Sequence, residues 1–427
     1  MKIAIFSDCY LDLTGGIVTV INAEKSELES RGHTVYVFSS SYPKSPTDLR
    51  RLAKNHIYPV PSCKVFGRGA APIARRPCII ERAILREHPE IKDFDIYYIH
   101  YEAGCSIAGI RLGHKFHIPV VQVMHGREDM GVQNLIPFGL RTITATLLNT
   151  FHSWYLPHTV TVHRDHRLAD TIAKAKMWTL MVNHANSADL VISPSQHFRS
   201  KLTSYGVTKP FISLPHGAAS HLFNEPIPSI RSWTPTTPLE IIWHSRLTGE
   251  KRFLPFLAAL PHLEIPYHLS VYGDGPDAAR ARHFTAKHHL NVTFHGVQKF
   301  PVIWRAMQHS HLDILSSYNY DNYSMTLVEA QVAGLPALIV DPDMREILPS
   351  GTFLLTPDPS PEAIAATINS LAANPNLIQK MSLRMLSARK EKNISLKIDA
   401  LEQIFTALAT GTAPADLAKM WKTQPKT

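Results

Sequence analysis

Short apolar runs alternate along this chain with longer stretches of helical periodicity. Lys2–Phe6 reads as a first strand, and Ile17–Ser30 as a helix ended by Arg31-Gly32-His33. Thr34–Phe38 reads as a second strand, with Ile96–Ile99 and Val120–Val123 as later strands of the same sheet. Leu190–Ser193 is the last strand expected before this first series closes. Residues 224–238, NEPIPSIRSWTPTTP, are rich in Pro, Ser and Thr and read as a linker. A second series follows: Leu239–Trp243, His268–Tyr272, Val292–His295, Leu312–Leu315 and Ala337–Val340. Strands alternating with helices argue for parallel sheets covered by helices, an α/β chain of two Rossmann-like domains. The expected domains are residues 1–215 and 216–393, with a C-terminal helix over 394–427 joined to the first. The tail from Thr410 is small and polar, and residues 415–421, ADLAKMW, suit a short amphipathic helix.

Residues 321–336, DNYSMTLVEAQVAGLP, hold the densest chemistry. Ser324 is placed to cap a helix carrying Leu327, Val328, Gln331 and Val332, which Gly334 terminates and Pro336 keeps from restarting. Asp321 then lies on the loop before the helix and Glu329 in its second turn. The free N–H groups and positive dipole end of such a helix suit a diphosphate. Upstream, WHSRLTGEKR at 243–252 puts Arg246 and Lys251 just after a strand, and VYGDGPD at 271–277 sets Gly273 and Gly275 in a tight turn at a strand end. Phe294-His295-Gly296 ends the next strand. Thr14-Gly15-Gly16-Ile17 lies between the first strand and first helix, where glycines let a backbone approach a ligand. VQVMHG ends its strand at His125, followed by Glu128-Asp129.

Composition narrows the class. The length of 427 residues suits two domains. No apolar run approaches the roughly 20 residues that span a bilayer, and the N-terminus reads as a strand rather than a signal peptide. The four cysteines show no metal or disulfide-scaffold spacing, so a cytoplasmic setting is expected. The 24 histidines are scattered, and His163-x-x-His166 lacks a third ligand. Net charge is +9 and lopsided: residues 1–215 carry 25 Lys+Arg and 17 Asp+Glu, hence +8, and the rest carry 19 and 18, hence +1. An anionic partner or surface is expected to face the first half, with no nucleic-acid motif to match. Two segments mix basic with large apolar residues: 68–86, with Arg68, Arg75, Arg76, Arg82 and Arg86 among isoleucines, and 138–180, with Phe138, Leu147, Trp154 and Trp178. They read as a peripheral surface for anionic lipid, or as amphipathic helices packed on the sheet.

Taken in order, these segments resemble the retaining glycosyltransferases of family 4, which have the GT-B fold. Glu329-Ala330, Ala333-Gly334 and Pro336 fall on that family's two-glutamate signature, with Asp321, Tyr323 and Ser324 departing from it. Arg246 and Lys251 fall on its basic pair, Gly273, Gly275 and Pro276 on its glycine turn, and Gly296 on its next landmark. LPHGAASHLF at 214–223 resembles a further segment, with His216 for an Asn and Ala219 for an Asp. Glu128-Asp129 after His125 is similar to a pattern of diacylglycerol glucosyltransferases. The resemblance implies two Rossmann-like domains with a cleft, and a hexose moved from a nucleotide-diphosphate sugar, UDP-glucose foremost, to a lipid acceptor such as diacylglycerol. It implies no metal and no cofactor beyond the donor. Arg246 and Lys251 would hold the diphosphate with Gly15, Gly16, Ser324 and Met325. Glu329 would hold the ribose, Gly273 and Gly296 would line the nucleotide, Asp321 would meet the sugar, and His125 would lie near its anomeric carbon. The enzyme would work at the inner face of the cell membrane. A glycan acceptor, an epimerase and a catalytically weak sugar-nucleotide-binding protein are the other readings, and the shorter Asp321 keeps the last of them open.

Overall fold

The computed structural model describes residues 1–9, 15–40, 46–63 and 73–423. Thr14 and Arg68 lie outside them. The described chain forms two compact units, Met1–Pro215 with Lys397–Thr427, and His216–Leu396.

The first unit is built on seven parallel strands: β1 (Lys2–Ser7), β2 (Thr34–Ser40), β3 (Ile57–Val60), β4 (Ile96–Ile99), β5 (Val120–Val123), β6 (Leu190–Ser193) and β7 (Phe211–Ser213). Their order across the sheet is β3-β2-β1-β4-β5-β6-β7. The central strands β4, β5 and β6 are buried at every position. That is why their sequences run apolar without alternation: both faces are covered. The series therefore does not close at Leu190–Ser193, because β7 pairs with β6 through Val191–Phe211 to Ser193–Ser213. Three residues, FIS, carry too little pattern to announce a strand.

The second unit holds six parallel strands: β8 (Leu239–His244), β9 (Tyr267–Tyr272), β10 (Val292–Gly296), β11 (Leu312–Leu315), β12 (Ala337–Ile339) and β13 (Phe353–Leu355), ordered β10-β9-β8-β11-β12-β13. In each sheet the strand order reverses once, between β1 and β4 and between β8 and β11. Open α/β sheets bind ligands outside the carboxyl ends of strands at such a reversal.

Residues 224–238 do not behave as a linker. Arg231 and Trp233 are buried in the second unit. The Arg231 guanidinium donates to the carbonyls of Met307 at 3.0 Å and Ser310 at 3.3 Å, and its backbone N–H donates to Ser382 Oγ at 3.0 Å. Proline and serine deny this stretch regular structure without denying it packing.

Four helices recur below: α1 (Gly16–Ser30), α2 (Gly104–Phe116), α3 (Arg141–Ser153) and α4 (Ile172–Ala185). Almost every residue of α4 from Ala173 is buried, Trp178 included, so the end of the segment 138–180 is core. Helix α3 keeps only Ala145 and His152 buried. In the segment 77–87, Ile80 and Ile84 are buried while Arg75, Arg76, Arg82 and Arg86 are exposed. That helix turns its apolar side to the protein and its charges to water. No helix among the described residues is long and apolar enough to cross a membrane.

Two further helices complete the frame, α5 (Met325–Ala333) and α6 (Ile394–Ala409). Gly334 ends α5 in the left-handed conformation, φ 67°, with its N–H returned to the Gln331 carbonyl at 3.1 Å. A β-carbon there would lie 2.5 Å from the Leu386 side chain. Gly334→Ala should therefore lower stability by about 1–3 kcal/mol, read as a fall in the denaturant midpoint; an unchanged midpoint would show that the turn relaxes freely.

Candidate functional site

In the second unit the carboxyl ends of β8, β9 and β10 are laced together by backbone. Leu247 N–H donates to the Asp274 carbonyl at 3.0 Å, and Gly273 N–H to the Gly296 carbonyl at 2.8 Å. A β-carbon on Gly273 would fall 2.1 Å from the Ser245 carbonyl oxygen, and one on Gly275 2.3 Å from that of Leu247. These glycines are needed so that the turn after β9 can press against the loop after β8.

That loop carries Arg246 and then a tight turn, Gly249–Lys251. Lys251 Nζ donates to both carboxylate oxygens of Asp321, at 2.7 and 2.9 Å. Ser317 Oγ donates to the same carboxylate, and Ser316 Oγ donates to the Lys251 carbonyl at 3.0 Å. Residue 321 thus anchors the lysine to the loop after β11, a contact an Asp makes without a glutamate's extra methylene. Arg246 is largely exposed and pairs with Glu250 at 3.2 Å. Ser324 does stand at the N-terminus of α5, but its hydroxyl pairs with Thr326 Oγ1 at 2.6 Å and makes no cap to the backbone.

Glu329 projects from α5 toward the end of β8. Its Oε2 lies 3.7 Å from His244 Nδ1, and His244 Nε2 lies 3.2 Å from Asp313 Oδ1. His244 and Asp313 occupy adjacent strands at the point of order reversal, where Ile242 pairs with Asp313. Burial raises the Glu329 carboxyl to about 7, with His244 pulling it down and Asp313 pushing it up. Burial also works against a charged His244, but Asp313 and Glu329 outweigh it and raise its pKa. The result is a row of three titratable groups, carboxylate, imidazole, carboxyl, beneath the start of α5.

His216, which stands where the resembling family has Asn, packs its ring edge-on against Tyr323, with centroids 5.5 Å apart. Tyr323 Oη donates to the His216 carbonyl at 3.2 Å and accepts from Lys392 Nζ at 3.2 Å. The two departures at 216 and 323 therefore answer each other.

In the first unit, His125 follows β5 and is half-buried. Its Nε2 lies 2.9 Å from Nδ1 of His100, the residue after β4. Burial first, then the charge of Lys397, lowers its pKa to about 3, so the ring is neutral. Near it, Asp8 caps α2, accepting from the N–H groups of Ala103, Cys105 and Ser106 at 3.3, 2.7 and 3.1 Å. Glu102 and Glu128 are both raised, chiefly by burial, Glu128 to about 7. Gly15 is extended at φ 176°, and added β-carbons at Gly15 and Gly16 meet nothing within 4 Å among the described residues. Neither conformation nor packing in the described chain demands glycine there.

A model of glycosyltransferase family 4 matches residues 14–218, and a model of glycosyl transferases group 1 matches residues 230–386. The chain belongs to glycosyltransferase family 4. This glycosyltransferase is 23% identical over 287 residues to an alpha-monoglucosyldiacylglycerol synthase of Streptococcus pneumoniae, covering 65% of this chain and 56% of that one. It is 29% identical over 130 residues to the synthase of the same name from Acholeplasma laidlawii, covering 29% and 30%. The matches thus span about half or less of those relatives' lengths. Among solved structures, Anabaena HepE in complex with UDP superimposes with a TM-score of 0.66 at 14% identity, covering 95% of this chain and 100% of that one. Sucrose-phosphate synthase from Thermosynechococcus elongatus gives 0.64 at 14% identity, covering 95% and 98%. Both likenesses establish the GT-B fold.

Sequence reasoning passed over His244, Asp313 and His100. A signal existed: each is a polar residue in or directly after an apolar strand run. It also passed over a row of three histidines. The amide nitrogen of Gln122 is committed to the carbonyls of Tyr101 and Val123, at 3.3 and 2.9 Å, so its oxygen accepts from His184 Nε2 at 3.0 Å. His152 Nε2 then donates to His184 Nδ1 at 3.0 Å, and His158 Nε2 to His152 Nδ1 at 2.7 Å.

Burial lowers the pKa of His100, His125, His152 and His184, the second and fourth to about 3. The unfolded chain binds these protons near pH 6.5, so unfolding takes up protons between about 6.5 and 3. Their stabilisation is present above that window and falls with pH, by up to about 1.4 kcal/mol per unit and per histidine. Asp8, Glu102 and Glu128, raised in the same unit, offset part of this but are outnumbered by the four histidines, whereas in the second unit Glu329, raised, works in the opposite direction. Amides of β5 should therefore lose hydrogen-exchange protection between pH 7.5 and 5 before those of β8; equal losses would contradict the neutral histidines.

Proposed function

We propose that this glycosyltransferase moves a hexose, UDP-glucose being the favoured donor, onto a lipid hydroxyl such as that of diacylglycerol, with retention at the anomeric carbon. The observation that carries the donor reading is the cluster around the N-terminus of α5: Lys251 clamped to Asp321, with Glu329 half-buried beside His244. Arg246, Lys251 and the N–H groups at Ser324 and Met325 would neutralise the diphosphate as charge grows on it, which requires no metal. Glu329 would accept from the ribose hydroxyls, Asp321 would meet the sugar through the oxygens it shares with Lys251, and the turns at Gly273 and Gly296 would border the base. From the first unit, Gly15 and Gly16 would approach the phosphates and His125 would serve the transferred sugar. No side chain is assigned as a covalent nucleophile: the departing phosphate would take the acceptor proton, and the acceptor would add on the face it leaves. HepE bound to UDP-glucose supports the donor, and the names of the two curated relatives support the acceptor.

Glu329→Ala and Lys251→Ala should each lower turnover by about a hundredfold or more with the far-ultraviolet spectrum unchanged. The measurement is release of free UDP from UDP-glucose with and without acceptor; full turnover in either variant would remove these residues from the donor site. Because Glu329 titrates near 7, nucleotide affinity should strengthen as pH rises through about 7, where its carboxylate gains charge to accept from the ribose. Glu329→Gln should flatten that dependence.

A lipid acceptor is supported by a stripe of exposed apolar side chains. Phe138 is 84% exposed, Leu147 65% and Trp154 69%, with Leu140 and Ile143 also exposed on and beside α3. Positions 140, 143, 147 and 154 share one helical face, and Arg141 lies over the Phe138 ring at 5.6 Å. Such a face suits shallow insertion at the inner, anionic face of a membrane. Leu147→Glu with Trp154→Glu should abolish flotation with phosphatidylglycerol vesicles while UDP-glucose hydrolysis persists. Flotation that survives this change would turn the reading toward a glycan acceptor.

A further inference from the structure

A buried charge pair lies behind His125 in the first unit. Glu24, on the inner face of α1 among Val20, Ile21 and Leu28, is fully buried, and so is Lys397 on α6. Lys397 Nζ donates to Glu24 Oε1. The other carboxylate oxygen, Oε2, lies 3.6 Å from Nε2 of His100, whose Nδ1 meets His125 Nε2 at 2.9 Å. The Tyr98 ring stands edge-on to His100 with centroids 4.2 Å apart. Among the described residues, the titratable groups that bear on the two imidazoles are Glu24 from α1, Tyr98 from β4 and Lys397 from α6.

A hydrogen bond between two neutral imidazoles has one donor and one acceptor, and nothing in the pair itself decides which is which. The surroundings decide. A lone pair on His100 Nε2 would face the Glu24 carboxylate, whereas an N–H there is attracted to it. With its proton on Nε2, His100 offers Nδ1 as acceptor, and His125 must donate from Nε2. We propose that the Glu24 carboxylate, paired with Lys397, fixes the tautomer of His100 and through it that of His125, leaving the His125 proton on Nε2 and its lone pair on Nδ1. Glu24, Lys397 and His100 are then positioning residues. The catalytic consequence rests on the reading of His125 given under Proposed function; the tautomer does not.

The pair adds little to stability for its cost. Taking two charges out of water offsets much of their attraction, and apolar replacements of similar size are often tolerated. This makes the test practicable. Glu24→Leu with Lys397→Leu removes both charges together and leaves neither unpaired. In protein labelled with 15N-histidine, long-range proton–nitrogen correlation distinguishes protonated from unprotonated ring nitrogens, and His125→Gln identifies the relevant signals. The wild type should show His125 protonated at Nε2 alone. The double variant should show both tautomers in exchange, with kcat reduced about tenfold or more and the KM for UDP-glucose changed less than about twofold. Lys397→Met alone should make His100 the counter-ion of Glu24, seen as protons on both its nitrogens and an acid limb of kcat moved to higher pH. An Nδ1 proton on His125 in the wild type, or a single unchanged tautomer in the double variant, would overturn the proposal. Should His125→Gln retain full turnover, the catalytic reading of His125 fails, while the nitrogen spectra still decide the relay.

Discussion

The central strands of both sheets are covered on both faces, so a polar side chain at their carboxyl ends must be answered by another protein group or by a ligand. Most of the chemistry of this chain follows from how those groups are answered. After β1, Asp8 is satisfied by the N-terminus of α2. After β4 and β5, two histidines answer each other. At the end of β8, His244 is answered by Asp313 from the neighbouring strand and by Glu329 from α5.

The same residue type is driven to opposite states in the two units. Around His100 and His125, desolvation is reinforced by a lysine, and the rings stay neutral hydrogen-bonding groups. Around His244, carboxyl groups on both sides overcome desolvation and favour the cation. A positive imidazole near Glu329 is suited to a site that gathers negative charge, and neutral imidazoles are suited to contacts with an uncharged sugar. The difference lies in which charge stands closest to each ring.

How much of this could be read from the sequence follows from what each signal records. The continuous apolar runs gave most strands close to their ends, because burial on both faces is written in composition alone. The helix over Met325–Ala333 was legible from its terminator, since a left-handed residue after a helix is most cheaply glycine. Phe211–Ser213 was too short to register. The stretch 224–238 was misread because its composition reports lack of periodicity, while the packing of Arg231 and Trp233 depends on partners as distant as Ser382. The helix over 77–87 looked like a surface-seeking segment until Ile80 and Ile84 were found facing inward. The pairing of Lys251 with Asp321 joins residues 70 apart, and that of Glu24 with Lys397 joins residues 373 apart. No local pattern can announce either.

That last separation has a consequence in time. During synthesis the cation that answers Glu24 is translated 373 residues after it. At about 5–20 residues per second, roughly 20 to 75 seconds pass between them. Throughout that interval the first unit can fold only with Glu24 protonated, hydrated or held out of the core. The native pairing of Glu24 therefore becomes available only once α6 has left the ribosome, and a chain cut short before α6 lacks the lysine that answers this carboxylate.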